Sequence, residues 1–258
     1  MDVKILKKSG RRIKFILGGI DNGFANTLRR IAKNEIPIMA IEEVNFEQNS
    51  SGLFDEVLAH RLGLLPFVFD PKLYRNREDC TCKSEGCSRC EVQVTLEAEG
   101  PGTVRASDIK SDTIWPLDNN IPIVELIEGQ QVKLEAKVIL GYGKDHAKWQ
   151  ASNIGYQNSP IVRVNAEKVS GKVVDTCPTD VFDKKDGRVR VAREQDCVLC
   201  MRCVEISDGV TVKSEEDSFI FDLESVSGLD AKTILNTSLS IMEDRAEEFK
   251  KTLKKELK

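Results

Sequence analysis

The chain has 258 residues, with 38 basic and 42 acidic side chains, a net charge of −4 and eight cysteines. This length accommodates two compact domains or one domain with a large insertion, and 40% hydrophobic with 31% charged residues is an ordinary globular composition. A mildly acidic chain lacks the clustered positive charge with which a stand-alone protein binds nucleic acid, which argues against a zinc-dependent nucleic-acid binder.

The sequence contains neither a secretory signal nor a membrane-spanning stretch, since it opens with Met-Asp-Val-Lys-Ile-Leu-Lys-Lys and has no long apolar run. We therefore expect a cytoplasmic protein without a membrane partner. Thiols stay reduced in that compartment, so the cysteines are expected to bind metals rather than to form disulfides.

The first elements predicted are a β-hairpin and a helix. Apolar residues alternate with polar ones on both sides of Ser9-Gly10, at Val3, Ile5, Ile13, Phe15 and Leu17. Asp21-Asn22-Gly23 then offers capping groups to a helix that carries Phe24, Leu28 and Ile31. A strand at about 39–46 and a second helix from Phe54 to about Leu62 follow. Short apolar runs at 92–96 and 132–138 predict strands in the middle third.

The last segment predicts a strand followed by a long helix. The strand is Ser218–Glu224, preceded by the charged loop Ser214-Glu-Glu-Asp217, and Ser227–Asp230 supplies a helix cap. Apolar residues then recur at alternating steps of four and three, at Leu235, Leu239, Met242, Ala246, Phe249 and Leu253. Such a seam requires another helix against it, in the same domain or in a partner. We favour a partner, because the first helix is short.

The first cysteine group is a predicted zinc site. Cys80, Cys82, Cys87 and Cys90 follow the spacing Cys-x-Cys-x4-Cys-x2-Cys, with Gly86 permitting a tight turn between the ligand pairs. Four thiolates within eleven residues suit the closed tetrahedral coordination of structural Zn²⁺ and leave no position for a catalytic water.

The second cysteine group predicts an iron–sulfur cluster. The run Cys197-x2-Cys200-x2-Cys203, together with a distant Cys177-Pro178, follows the ferredoxin pattern, in which the Cys-Pro cysteine completes the ligand set of the other run. The four cysteines favour one [4Fe–4S] cluster, or a [3Fe–4S] cluster if Cys200 is released. Zinc remains the alternative metal, since thiolates bind both.

Two-cluster ferredoxins would carry four further cysteines at positions that this chain fills differently. Counting along the same spacing gives Glu167, Ser170, Val173 and Ser207. All ligands of one cluster are therefore missing together, while those of the other are complete. A cluster also raises the alternative of an electron-transfer protein. The chain has no Gly-x-Gly-x-x-Gly fingerprint for a flavin or nicotinamide partner centre.

A resemblance to a known family rests on three segments. The first resembles a signature of the archaeal RNA polymerase D chain, and of the third-largest subunit of eukaryotic RNA polymerase II, over the run Asp55-Glu-Val-Leu-Ala-His-Arg-Leu-Gly-Leu-Leu-Pro66. The motif shared with the bacterial alpha subunit is similar to Asn26-Thr-Leu-Arg-Arg30 with Ile36-Pro37 and Ala40-Ile41. The family's last strand and helix match Phe219–Ser225 and the residues after it, so the resemblance covers effectively the whole chain.

The resemblance implies an α+β fold with a discontinuous, alpha-subunit-like dimerisation domain formed by residues 1–47 and 214–258. It implies an inserted, mainly-β domain over 48–165, which carries the zinc loop 80–90. A ferredoxin-like iron–sulfur module is expected over 166–213. The cofactors implied are one [4Fe–4S] or [3Fe–4S] cluster and one Zn²⁺.

The same resemblance implies a non-catalytic assembly platform of the DNA-directed RNA polymerase, a nucleotidyltransferase. The chain would pair with subunit L and then recruit subunits N and P and the large catalytic subunits. It would reach DNA only through the whole enzyme. Polymerase chemistry requires carboxylates that hold magnesium ions, and we predict no catalytic residue here. The cluster would be structural or redox-regulatory.

Overall fold

The computed structural model describes residues 1–257, and these form a mixed fold of five helices and fourteen strands. The helices are α1 Asn22–Asn34, α2 Asp55–Gly63, α3 Lys172–Thr176, α4 Arg202–Ile206 and α5 Ala231–Glu256. The strands are β1 Asp2–Lys8, β2 Arg12–Gly18, β3 Ile38–Asn49, β4 Phe67–Val68, β5 Glu91–Glu99, β6 Gly102–Arg105, β7 Ile109–Lys110, β8 Trp115–Pro116, β9 Pro122–Leu126, β10 Gln131–Gly141, β11 Ser152–Val164, β12 Phe182–Lys185, β13 Arg188–Val191 and β14 Val210–Ser225.

The chain divides into two compact units. One comprises Met1–Lys8, Ile13–Arg29 and Gly155–Asp222, and the other comprises Ser9–Arg12, Arg30–Ile154 and Leu223–Lys258. Each unit therefore combines segments that are far apart in the sequence. The functional domains expected over 1–47 with 214–258, 48–165 and 166–213 stay a prediction.

A four-stranded sheet, ordered β1-β2-β14-β11, forms the frame of the first unit. β1 and β2 make the predicted antiparallel hairpin, in which Val3 pairs with Leu17 and Ile5 with Phe15. The Phe15 ring stacks on Phe221 of β14 at 5.1 Å between centroids. The start of the chain and its last strand therefore share one sheet.

A second four-stranded sheet, ordered β3-β10-β5-β7, lies in the other unit. In the long antiparallel strand β10, alternate side chains from Val132 to Val138 are buried, as the period-2 pattern predicts. Two close approaches tighten this unit. A Cβ atom at Gly141 would overlap the Trp149 ring, and one at Gly228 would overlap the backbone of Phe67.

Helix α5 begins where the sequence predicts, at the cap Asp230, whose carboxylate accepts a 2.6 Å hydrogen bond from the Thr233 N–H group. Its first part is buried through Ala231, Ile234 and Ser238. From Glu243 to Leu257 every residue is exposed.

Two features of the structure add to or correct the sequence analysis. Within residues 1–257, no helix combines the length and the apolar character needed to cross a lipid bilayer. The charged stretch 214–217 is not a loop before the last strand but lies inside β14, which runs from Val210 to Ser225. The loop prediction was therefore wrong.

Candidate metal centres

The first cysteine group is brought together by the loop between β4 and β5. Cys80 and Cys90 are buried, whereas Cys82 and Cys87 are half-buried. The Sγ atoms are 3.5 Å apart for Cys80 and Cys87, 3.6 Å for Cys82 and Cys90, and 3.8 Å for Cys87 and Cys90. All four sulfur atoms lie within 4.8 Å of one another.

These distances match the coordination sphere of a single metal ion. A zinc–sulfur bond of about 2.3 Å makes the edge of a ZnS₄ tetrahedron about 3.8 Å long. The observed separations of 3.5 to 3.8 Å agree with that edge. The sulfur atoms of the loop 80–90 are therefore close enough to bind one metal ion.

The local backbone explains how four sulfur atoms converge. Lys83, Ser84 and Gly86 have left-handed backbones, with φ of 54°, 69° and 93°. Such residues reverse the chain between the ligand pairs, and only the glycine adopts this conformation at no steric cost. The Cys87 N–H group also donates a 3.4 Å hydrogen bond to the Cys90 sulfur, as expected around a metal-bound thiolate.

The thiol pKa values indicate that the four cysteines of the loop do not all ionise without a bound cation. Burial raises the pKa of the Cys90 thiol to about 12. At Cys82 burial is outweighed by hydrogen bonds from Cys80 and Cys90, which lower its pKa to about 7. All four groups become thiolates together only when a cation neutralises them.

Arg77 ties this loop to the sheet, a role that spacing alone did not reveal. Its Nη2 atom lies 3.1 Å from Glu91 and its Nη1 atom 3.6 Å from Glu43. Glu43 also pairs with Lys137 at 2.7 Å, and that hydrogen bond lowers the pKa of the Glu43 carboxyl group. The sequence does not predict this anchor, because both acidic partners of Arg77 lie in other segments of the chain.

The second cysteine group lies in the first unit. Cys177 follows α3, and Cys203 belongs to α4. Cys197 and Cys203 are part of a buried core with valine residues, and Cys177 packs against it, whereas Cys200 is exposed. The chain thus directs three of these ligands towards its interior and one towards solvent.

The sulfur atoms of this group are more widely spaced than those of the loop 80–90. Within residues 1–257, only the group 80–90 has three or more ligand atoms within 4.8 Å of one another. A cubane of four iron and four sulfide ions is larger than one ion, so its cysteine ligands must lie further apart. This wider spacing is compatible with a cluster.

The raised pKa values of two of these thiols indicate that they ionise only with a positive charge nearby. Burial raises the pKa of the Cys197 thiol, the Leu199 N–H group partly offsets this, and Cys177 and Cys200 raise it further. Burial likewise raises the pKa of the Cys203 thiol, and Cys197 adds to the effect. These ligands influence one another electrostatically, as cysteines around a shared cluster must.

Two residues of the cysteine loop have strained backbones. Leu199 and Met201 are left-handed, with φ of 55° and 63°, which is costly for residues other than glycine. The Val181 N–H group donates to the Cys177 sulfur at 3.4 Å. N–H groups of this kind stabilise the charge of cluster-bound thiolates.

Comparison with known proteins assigns a family to the chain. Residues 34–160 match the family described as RNA polymerase Rpb3/RpoA insert domain. DNA-directed RNA polymerase subunit Rpo3 of Methanosarcina acetivorans is 40% identical over 257 residues, which is 96% of this chain and 97% of that protein. The subunit Rpo3 of Archaeoglobus fulgidus is 35% identical over 98% of this chain and 97% of that protein. For Methanopyrus kandleri the values are 33%, 97% and 94%.

The chain belongs to the Rpo3 family of DNA-directed RNA polymerase subunits. The matched insert region 34–160 contains the loop with Cys80, Cys82, Cys87 and Cys90. The second cysteine group lies outside it, at Cys177 and beyond. The two groups thus belong to different parts of the Rpo3-family chain.

Proposed function

We propose that this Rpo3-family chain is the non-catalytic assembly platform of an archaeal-type DNA-directed RNA polymerase in the cytoplasm. It pairs with the small subunit L and then recruits subunits N and P and the large catalytic subunits. The nucleotidyltransferase activity belongs to the complete enzyme, and DNA is reached only through it. Electron transfer as the main task is not favoured, because relatives that match over the whole chain are polymerase subunits.

The observation that carries this proposal is the uncovered apolar face of α5. Leu239, Phe249 and Leu253 are 48%, 68% and 44% exposed, although all three belong to the predicted heptad-like seam. Burying a large apolar side chain stabilises a complex by about 1.5–3 kcal/mol. A helix that leaves such residues in solvent is therefore expected to bury them in a partner.

The sharing of one sheet by β2 and β14 supports a discontinuous dimerisation domain. The sheet order places these two strands side by side, and the Ile20 N–H group donates a 3.1 Å hydrogen bond to the Asp217 carbonyl group. The long helix that follows β14 is thus connected to a frame built from both ends of the chain.

We further propose one Zn²⁺ at Cys80, Cys82, Cys87 and Cys90, and one [4Fe–4S] or [3Fe–4S] cluster at Cys177, Cys197, Cys200 and Cys203. Zinc would fix the loop 80–90, which has little core of its own. The cluster would support the ferredoxin-like module as a structural or redox-regulatory group. The close sulfur atoms of the loop 80–90 support the zinc site, and the sequence spacing of the second group supports the cluster.

A charge placed in the seam tests the pairing. The tagged chain is co-expressed with subunit L and recovered by pull-down, as wild type, Met242→Asp and Phe249→Asp. Both variants are expected to lose L, because a carboxylate would be buried in an apolar interface. Phe249 is exposed in the chain itself, so its replacement leaves the fold intact.

The matched control is Ser240→Asp, which adds the same charge at an exposed position two residues from Met242. It is expected to pair with L like the wild type. A tight complex between Phe249→Asp and L would show that the seam is not the interface.

A further inference from the structure

The positions at which a second cluster would be ligated hold a compact hydrogen-bonded contact instead. By the ferredoxin spacing these positions are Glu167, Ser170, Val173 and Ser207. Val173 is fully buried, and Ser207 is 7% exposed. Two of the four positions are thus packed inside the protein, whereas Ser170 is half-buried and Glu167 is exposed.

Ser207 is the centre of this contact. Its Oγ atom accepts a 2.9 Å hydrogen bond from the Ser170 N–H group and a 3.3 Å hydrogen bond from the Gly209 N–H group. The Gly209 carbonyl group in turn accepts a 2.8 Å hydrogen bond from the Asn165 N–H group. We call the Ser207 hydroxyl with these two N–H donors the serine clasp.

The packing at Gly209 is tight. A Cβ atom at Gly209 would overlap the backbone of Val169. The two segments that meet here, 165–170 and 207–209, therefore approach at backbone distance. The Ser207 hydroxyl group joins them, because it accepts hydrogen bonds from the half-buried Ser170 N–H group and the buried Gly209 N–H group.

The clasp joins the two helices that carry cluster ligands. Ser170 lies two residues before α3, which is followed directly by the ligand Cys177. Ser207 follows α4, which contains the ligand Cys203. Both helices are short, at five residues each, and cannot fix their own orientation. A bond between the start of one and the end of the other restricts how the two sulfur atoms face each other.

We propose that the serine clasp takes the structural place of a second cluster, and that Ser207 is a positioning residue for the remaining one. It fixes Cys177 relative to Cys203 without touching the cluster. The proposal rests on the cluster proposed above. Loss of the hydroxyl group deprives the half-buried Ser170 N–H group and the buried Gly209 N–H group of this acceptor and loosens the helix pair.

The test compares Ser207→Ala with Ser170→Ala in the full chain co-purified with subunit L under anaerobic conditions. The two variants make the same chemical change, but Ser170 contributes to the clasp its backbone N–H group, which alanine keeps. Ser170→Ala loses only the long 3.4 Å hydrogen bond that the Ser170 hydroxyl group accepts from the Lys172 N–H group. Bound iron, the electron paramagnetic resonance spectrum of the reduced cluster and the rate of iron loss to a chelator are measured. Ser207→Ala is expected to lose iron several-fold faster and to change the spectrum, whereas Ser170→Ala behaves like wild type.

A second pair keeps the proposal falsifiable if Ser207→Ala does not accumulate. Ser207→Thr and Ser207→Val have nearly the same shape and differ in the hydroxyl group. The threonine variant is expected to hold its iron several-fold longer than the valine variant.

The outcomes separate the clasp from the cluster itself. Iron bound with identical spectra and release rates in Ser207→Ala, Ser170→Ala and wild type would overturn the clasp and leave the cluster intact. Wild-type protein that takes up no iron after anaerobic reconstitution would overturn both.

Discussion

At the scale of single residues, the two cysteine groups solve different electrostatic problems. Sulfur atoms 3.5 to 3.8 Å apart in the loop 80–90 would repel one another strongly as thiolates. Because they are so close, one small cation at their centre can neutralise this repulsion. The second group instead buries Cys197 and Cys203 in a valine-rich core and leaves Cys200 exposed. Similar ligand sets are thus distinguished by their spacing and burial.

Removing one ligand from each group should affect one metal and spare the other. Cys82→Ser is expected to abolish zinc binding and leave the iron content unchanged, because only three thiolates remain in the loop. Cys203→Ser is expected to abolish the cluster and leave zinc in place. Metal analysis of anaerobically purified protein measures both. Loss of iron from Cys82→Ser would contradict the separation.

Sequence reasoning found the cysteines but not the residues around them. Spacing is enough to identify Cys-x2-Cys-x2-Cys, because the ligands are local. Arg77 and the left-handed Met201 act through contacts or backbone angles that depend on the folded chain. The spacing identifies Ser207 only as a missing ligand position, and its hydrogen bonds are visible only in the structure. Ordinary residue types give no local signal of such roles.

At the scale of elements, the strongest predictions concerned segments with a long and regular apolar period. The hairpin, α1, α2 and α5 all appear where that period predicts them. The sequence predicts a loop at 214–217 because Glu215, Glu216 and Asp217 are charged, although β14 continues through them. The short pairs β4-β8 and β6-β9 are too brief to show any period.

The turn before α5 is held by a close contact that tolerates only glycine. A Cβ atom at Gly228 would overlap the Phe67 carbonyl group. Gly228→Ala is therefore expected to destabilise the chain by about 1–3 kcal/mol, the cost of overpacking a well-packed site. Denaturant unfolding measures the change.

The matched control for this substitution is Gly155→Ala, since an added Cβ atom there meets nothing within 4 Å. We expect its unfolding midpoint to stay close to that of the wild type. Equal stability of the two variants would mean that the turn can shift away from Phe67.

At the scale of the whole molecule, the sequence could not foresee how the chain divides. The two compact units alternate along the sequence: residues 9–12 belong to one unit, whereas the residues on either side of them belong to the other. Compactness depends on contacts between distant segments, whereas composition and motifs report on local stretches. The family resemblance instead implies functional domains that follow the role of each segment, and these domains stay a prediction.

Because the second cysteine group and the α5 seam belong to separate units, we expect docking of the large subunits to fail without loss of pairing with L. Exposure to air is expected to remove the cluster and to weaken docking of the large subunits, while pairing with L persists. The reason is that Cys177, Cys197 and Cys203 lie in one unit and the α5 seam in the other. Pull-down of the aerobic and anaerobic protein measures both steps. Unchanged docking of the large subunits by Cys203→Ser would rule out this role of the cluster.

The exposed apolar residues near the end of α5 make the solubility of each newly synthesised chain depend on the supply of subunit L. Phe249 and Leu253 are exposed to solvent, and such an apolar stripe favours aggregation of unpaired chains as much as correct pairing. Copies made in excess of L are therefore expected to be insoluble or to be degraded. The cell then has a reason to synthesise the two chains in equal numbers.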